Sequence, residues 1–133
     1  MWGKKNNMEN KKGNEKLQLI PKTELYIEYM NNVILKLPRT EKFSIGTEYK
    51  NVMYEMLRNI LYVNKVEEKY RLDYLNKIDA DLNIQRILLR IMCKNKWIDE
   101  KKFNIAMGQI YEIGKILGGL IKYYGKNTKE WIW

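Results

Sequence analysis

The stretch EIGKILGGLIK, residues 112–122, combines an apolar helical pattern with three glycines, Gly114, Gly118 and Gly119. Gly108 precedes them on the same helix. Each glycine inside a helix costs roughly 0.5–1 kcal/mol relative to alanine. A helix tolerates that cost where backbones must approach closely. We therefore expect this helix to pack tightly, either within its own bundle or against another subunit.

Apolar residues around this stretch recur with the spacing of a bundle seam. Those that recur every seven positions are Phe103, Ile110, Leu117 and Tyr124, and those in the complementary positions are Ala106, Ile113 and Leu120. Asp99 is a suitable N-cap and Gly125 a suitable C-terminal stop. These signals predict a helix that extends to Tyr124.

Three further helices are predicted upstream. The first runs over residues 21–37, because proline suits a first helical turn and Pro38 ends the run. The second begins between Thr40 and Ile45 and ends at Val63, and the third covers residues 65–94. Each helix has an apolar face that we expect to point into the bundle. The residues of these faces are Tyr26, Met30, Val33 and Leu37 on the first helix, Tyr49, Met53, Met56, Ile60 and Val63 on the second, and Leu72, Leu75, Leu82, Leu89 and Cys93 on the third. Further apolar residues widen the apolar face of the third helix near its end, so we expect a second face of this helix to be buried. These residues are Ile84, Ile87, Leu88 and Ile91.

The predicted fold class is therefore all-α, an up-down-up-down four-helix bundle over residues 20–125. Residues 1–19 are rich in lysine and asparagine and predict a disordered basic arm. Residues 126–133 form a short tail whose Trp131 and Trp133 are candidates for docking on a partner or on the bundle itself.

The amino-acid composition argues against several classes of function. The chain contains no histidine, which removes the usual general base and the commonest metal ligand. Its single cysteine, Cys93, excludes an internal disulfide framework and fits core filling. No signal-peptide order or long uncharged apolar run occurs. These features predict a cytoplasmic protein that is not an enzyme and has no cofactor, metal or membrane partner.

The net charge is +9, and it is spread along the chain. Residues 1–16 contribute +3, residues 21–124 contribute +5 from eighteen basic and thirteen acidic side chains, and the tail contributes +1. The predicted bundle is therefore basic in itself. Such a field attracts polyanions such as nucleic acid, although a lysine-rich surface also serves solubility.

Three segments, LPRTEKFSIG (37–46), LDYLNKIDADLNIQRILLRIM (72–92) and EIGKILGGLIK (112–122), resemble the Avd-like four-helix-bundle family. Members are accessory variability determinants of diversity-generating retroelements. The resemblance covers residues 20–124. It implies a strongly basic, barrel-like homopentamer without a catalytic centre. It also implies that the protein binds a reverse transcriptase and its template RNA and cDNA and supports mutagenic cDNA synthesis (mutagenic retrohoming).

Two alternatives remain open at this point. A sister family, encoded within ribosomal RNA intervening sequences, shares the fold and has no polymerase partner. The segments IQRILLR and GKILGG favour the Avd-like family over this sister family. The other alternative is a pure protein-interaction adaptor whose charge serves only solubility.

The candidate residues for binding nucleic acid or the polymerase are Arg86, Arg90, Lys94, Lys96, Lys101, Lys102, Lys115 and Lys122. Arginine binds phosphate in bidentate fashion, which favours Arg86 and Arg90. Arg86 also has a structural alternative, an ion pair with Asp79 at a helix or subunit contact. The alternative for the lysines is that they belong to a solvent-exposed helix face and bind no partner. The candidate residues for oligomer packing are Gly114, Gly118, Gly119 and Asp79. We also expect Gly118→Leu to be disruptive through overpacking.

Overall fold

The computed structural model describes the backbone of residues 2–125 and the side chains of residues 18–125. Its elements are α1 (Trp2–Leu35), α2 (Arg39–Lys42), α3 (Ile45–Val63), α4 (Glu68–Lys94) and α5 (Glu100–Tyr124). The four long helices form a bundle, and α2 is a single turn in the α1–α3 connection. Residues 2–125 contain no strand, so the predicted all-α four-helix bundle is confirmed.

Contacts between helices establish the topology. Ring centroids of Tyr62 and Tyr74 lie 5.9 Å apart and join the end of α3 to the start of α4. Arg71 Nη1 donates to the Tyr124 hydroxyl at 3.2 Å, which joins the start of α4 to the end of α5. Lys22 Nζ and Glu112 Oε1, 3.6 Å apart, connect α1 to α5. Successive long helices are therefore antiparallel, as an up-down-up-down bundle requires.

The predicted seams form most of the core. Buried residues of the predicted stripes are Tyr26, Met30, Val33 and Leu37 on α1, Tyr49, Met53, Met56, Ile60 and Val63 on α3, Leu75, Leu82 and Leu89 on α4, and Ala106, Ile110, Ile113, Leu117 and Leu120 on α5. Ile78 and Met92 complete the α4 stripe. The second buried face of α4 is not found within one chain, where Ile84, Ile87 and Ile91 are 42%, 51% and 39% exposed.

The predicted start of the first helix is wrong. The backbone is helical from Trp2, so Pro21 lies inside α1 and most of the predicted disordered arm of residues 1–19 is helical. Proline costs a helix interior about 3 kcal/mol. Leu19 and Thr23 are both buried, and the Thr23 hydroxyl donates to the Leu19 carbonyl at 2.7 Å. Packing on both sides of Pro21 thus holds the helix through it.

The other boundaries agree closely with the sequence patterns. The helix predicted from Lys65 begins at Glu68, because the backbone N–H groups of Lys65 and Val66 both donate to the Tyr62 carbonyl in a turn. The last helix ends at Tyr124, as predicted. The predicted tail of residues 126–133, with Trp131 and Trp133, lies outside the described residues.

A buried hydrogen-bond network connects three helices at the centre of the bundle. The Tyr26 hydroxyl of α1 donates to Gln85 Oε1 of α4 at 2.7 Å and accepts from the Tyr49 hydroxyl of α3. Gln85 Nε2 donates to the Asp81 carbonyl at 3.1 Å and to Met56 Sδ at 3.3 Å. Burial raises the pKa of Tyr26 and of Tyr49 above the ordinary value of 10.0, so both hydroxyls stay protonated at neutral pH.

The substitution Tyr26→Phe tests this network. It removes the group that donates to Gln85 and accepts from Tyr49, and it leaves both partners buried without their bond. We expect the free energy of unfolding to fall by about 1–3 kcal/mol, measured by urea denaturation at fixed protein concentration. Tyr54→Phe is the control, because the Tyr54 hydroxyl bonds to Asn31 at 3.3 Å in a part-buried position. Equal losses in the two variants would contradict a special contribution of the network.

Candidate nucleic-acid interface

One end of the bundle contains the segments 36–50 and 90–102, which together we call the basic end. It carries nine lysine and arginine side chains against four carboxylates. The nine are Lys36, Arg39, Lys42, Lys50, Arg90, Lys94, Lys96, Lys101 and Lys102. All other residues between 18 and 125 carry nine basic and nine acidic side chains. The net charge of +5 over residues 18–125 therefore belongs to the basic end.

Packing brings the two segments to the same end. The α1–α3 connection folds back at Gly46, where a Cβ atom would lie 3.0 Å from Ile34 Cγ2 and 3.4 Å from Leu37 Cδ1. α5 packs along α1, which places the α4–α5 loop beside α1. Burial, and then the negative charge of Asp99 in this loop, raises the pKa of Tyr29 on α1. Because the helices are antiparallel, the end of α4 and the start of α3 meet here as well.

The cations at this end are available to a partner. Arg90, Lys94, Lys96 and Lys101 are exposed, and Lys102 is half-buried. The ion pairs among residues 18–125 are Lys22–Glu112 and Arg58–Glu55, and neither lies at the basic end. Nearby carboxylates of the described chain therefore do not pair with these cations.

Lys96 occupies the left-handed backbone region, with φ of 62°. Its N–H donates to the Cys93 carbonyl at 3.0 Å, and the Trp97 N–H donates to the Met92 carbonyl at 2.9 Å. This pair of bonds is the Schellman arrangement that ends a helix, and glycine is the usual residue at the left-handed position. Trp97 then packs against the core. The loop is thus fixed, with the Lys96 side chain exposed.

The start of α5 is fixed by a side-chain cap. Asp99 accepts from the Lys102 backbone N–H at 2.8 Å, which confirms the predicted N-cap. Only Ile98 lies between the Schellman loop, which ends at Trp97, and the Asp99 cap. They hold the cations on either side of the turn in a defined arrangement.

The structure brings together five of the predicted binding residues and separates three. Those at the basic end are Arg90, Lys94, Lys96, Lys101 and Lys102. Lys115 and Lys122 are exposed on α5, about 20 and 30 Å along the helix from Lys101 at 1.5 Å per residue. Arg86 is half-buried, donates to Asn83 Oδ1 and lies beside α5. Within the described chain it forms no ion pair with Asp79, and a pair across a subunit contact stays a prediction.

The helical glycines differ in their surroundings. A Cβ atom on Gly114 would lie 2.7 Å from Arg86 Nη2 and 3.5 Å from Leu82 Cδ2, so Gly114 gives room to a side chain of its own bundle. Gly118 is exposed, and a Cβ atom there meets no described atom within 4 Å. The expected overpacking by Gly118→Leu therefore does not apply within a single chain.

Three cations of the basic end, all in the first segment, were not among the sequence-based candidates. They are Lys36, Arg39 and Lys42. The stretch LPRTEKFSIG contains two of them. Side chains in a loop do not recur with a helical period, so the sequence does not show which of them share a surface. A signal was nevertheless present, because this segment and the α4–α5 loop must share an end in any up-down-up-down bundle.

Two further observations concern only the described part of the chain. None of its helices has the length and apolar character needed to cross a membrane. It also lacks any group of three or more cysteine, aspartate or glutamate side chains arranged to hold a metal ion.

Comparison with known proteins gives one family. A family model described as bAvd-like matches residues 17–124, which covers all four long helices from the middle of α1 to the end of α5. No curated protein matches the sequence.

The substitution Lys96→Gly tests the backbone argument. A residue with a Cβ atom costs about 1–2 kcal/mol in the left-handed region, and glycine removes that cost. We expect the free energy of unfolding to rise by about 1 kcal/mol, measured by urea denaturation. Lys94→Gly is the matched control, because it removes one charge from the same end but places glycine in the last turn of α4, so stability should fall. A loss in both variants would contradict the strain at Lys96.

Proposed function

Because the chain belongs to the bAvd-like family, we propose that it is a non-catalytic accessory protein of a diversity-generating retroelement. It binds the element's reverse transcriptase together with template RNA or cDNA, in the cytoplasm, and supports mutagenic cDNA synthesis. The chemistry of polymerisation is left to the reverse transcriptase.

The observation that carries the proposal is the location of the charge. The net positive charge of residues 18–125 falls on one end of the bundle, where exposed cations lack carboxylate partners from the described chain. Lysine and arginine that contact phosphates release condensed counterions, which drives binding. Contacts to phosphate position a nucleic acid without reading its bases. Binding by the free protein is therefore weakly sequence-specific and strongly dependent on salt.

We further propose that the protein acts as a homo-oligomer, with a pentamer as the expected state. An exposed apolar stripe on α4, formed by Ile84, Ile87 and Ile91, supports this. The three side chains lie on one helical face at spacings of three and four residues. The open backbone at Gly118 on α5 allows close approach of another helix. An assembly pools the charge of several basic ends on one particle.

Paired triple variants test the nucleic-acid role. The basic-end variant carries Arg90→Ala, Lys94→Ala and Lys101→Ala. The control carries Lys65→Ala, Lys69→Ala and Lys77→Ala, which removes the same charge from exposed positions outside that end. Binding of a fluorescent single-stranded RNA is measured by anisotropy between 50 and 200 mM salt. We expect the basic-end variant to reduce the slope of log affinity against log salt by about 2, at about 0.7 for each lost contact.

The control variant should change the slope by less than half as much. Wild-type affinity that is independent of salt would contradict the electrostatic role, and equal effects of the two triple variants would contradict the assignment to the basic end.

The polymerase partnership has a separate test. A reverse transcriptase encoded beside the gene should co-purify with this protein, and failure to do so would favour a nucleic-acid-binding role without a polymerase.

The substitution Gly118→Leu tests the assembly. Because the position is open within one chain, leucine should leave the fold intact and should not lower the free energy of unfolding of the chain. At a subunit contact it should break the oligomer, which light scattering would report as a smaller particle. Gly118→Ala is the control and should keep the oligomer. A wild-type protein that is monomeric at high concentration would contradict the oligomer itself.

A further inference from the structure

Phe43 is the most exposed large hydrophobic side chain among the described residues, at 70%. It follows α2 directly and lies within the basic end. The bundle stripes account for the core without it. An aromatic ring of this size in water is an unused contact surface.

The backbone around Phe43 is firmly held. The Lys42 N–H donates to the Pro38 carbonyl at 2.8 Å, and the Ser44 N–H donates to the Glu41 carbonyl at 3.2 Å. The Glu48 N–H donates to the Ser44 carbonyl at 3.1 Å, which joins this turn to α3. The segment is anchored before and after by the buried residues Leu37 and Gly46. The ring is therefore presented from a fixed turn and loses little freedom on binding.

One cation lies over the Phe43 ring, and others share the same end of the bundle. Lys42 Nζ lies 5.9 Å from the ring centroid, and Arg39 lies one helical turn earlier on α2. A single strand of nucleic acid offers negative phosphates beside unpaired bases with open π-faces. Proteins bind such strands by combining cations for the backbone with aromatic rings on which bases stack.

We propose that Phe43 is a stacking platform for an unpaired base of single-stranded RNA or DNA held at the basic end. This inference rests on the proposed function, because the cations of that end must first hold the strand. Duplex nucleic acid offers phosphates but no free base face. The ring therefore makes the basic end selective for single-stranded over duplex substrate.

A docked protein is the competing occupant of the ring. Leu35, the last residue of α1, is also an exposed apolar side chain and comes one residue before the first segment of the basic end. The surrounding charge nevertheless favours a polyanion, because nine cations and four carboxylates share this end. A single ring among cations matches the alternation of base and phosphate along a strand.

The test compares two probes of equal length and charge, a twelve-residue oligothymidylate and a twelve-residue abasic oligonucleotide. Wild type, Phe43→Leu and Phe43→Trp are measured by anisotropy at 50 mM salt. We expect wild type to bind oligothymidylate about tenfold more tightly than the abasic strand. Leucine keeps an apolar side chain but removes the π-face, so Phe43→Leu should bind both probes alike. Phe43→Trp should retain the preference.

Tyr111→Leu is the matched control, because Tyr111 is an exposed aromatic residue on α5 outside the basic end. It should leave the preference unchanged. The unfolding midpoint of Phe43→Leu should equal that of wild type, because the ring is exposed.

The outcomes separate the inference from the function it rests on. If wild type binds neither probe at 50 mM salt, the proposed function fails. If wild type binds both probes and Phe43→Leu keeps the wild-type preference, only the stacking role is overturned. Loss of reverse transcriptase co-purification in Phe43→Leu with unchanged oligonucleotide binding would also overturn it and would assign Phe43 to a protein contact.

Discussion

The buried hydrogen bonds among Tyr26, Tyr49 and Gln85 constrain the bundle more tightly than its apolar contacts do. Apolar seams tolerate small shifts, since one side chain can replace another in a contact. The hydroxyl and amide groups cannot shift, because an unpaired polar group in the core costs the full penalty of its desolvation. A displacement of any one helix by one turn, about 5.4 Å, would separate these partners. The network therefore sets the register of α1, α3 and α4 together.

Register in turn decides where the charge lies. With the long helices antiparallel and in this register, the α1–α3 connection and the α4–α5 loop come to the same end of the bundle. The other residues between 18 and 125 balance their own charges, so the net positive charge of the described side chains lies at this end. Screening limits that field to about 8 Å at physiological salt. The cations must therefore act at close range and collectively, which their shared location permits.

Two residues at the basic end are poorly suited to stability alone. Lys96 occupies a left-handed position that glycine fills at no cost, and Phe43 exposes its ring to water. Local costs of this kind concentrate where a protein binds something. Together with the charge they support the proposal that this end binds nucleic acid.

The sequence by itself determined the four long helices, the seam residues of α3 and α5, the Asp99 cap and the family. These follow from spacings of three, four and seven residues and from local capping chemistry, which act within one turn of helix. Only the tertiary structure decided that Pro21 lies inside α1 and that Arg86 lies against Gly114. Each depends on packing between segments far apart in the chain, about which a helical period carries no information.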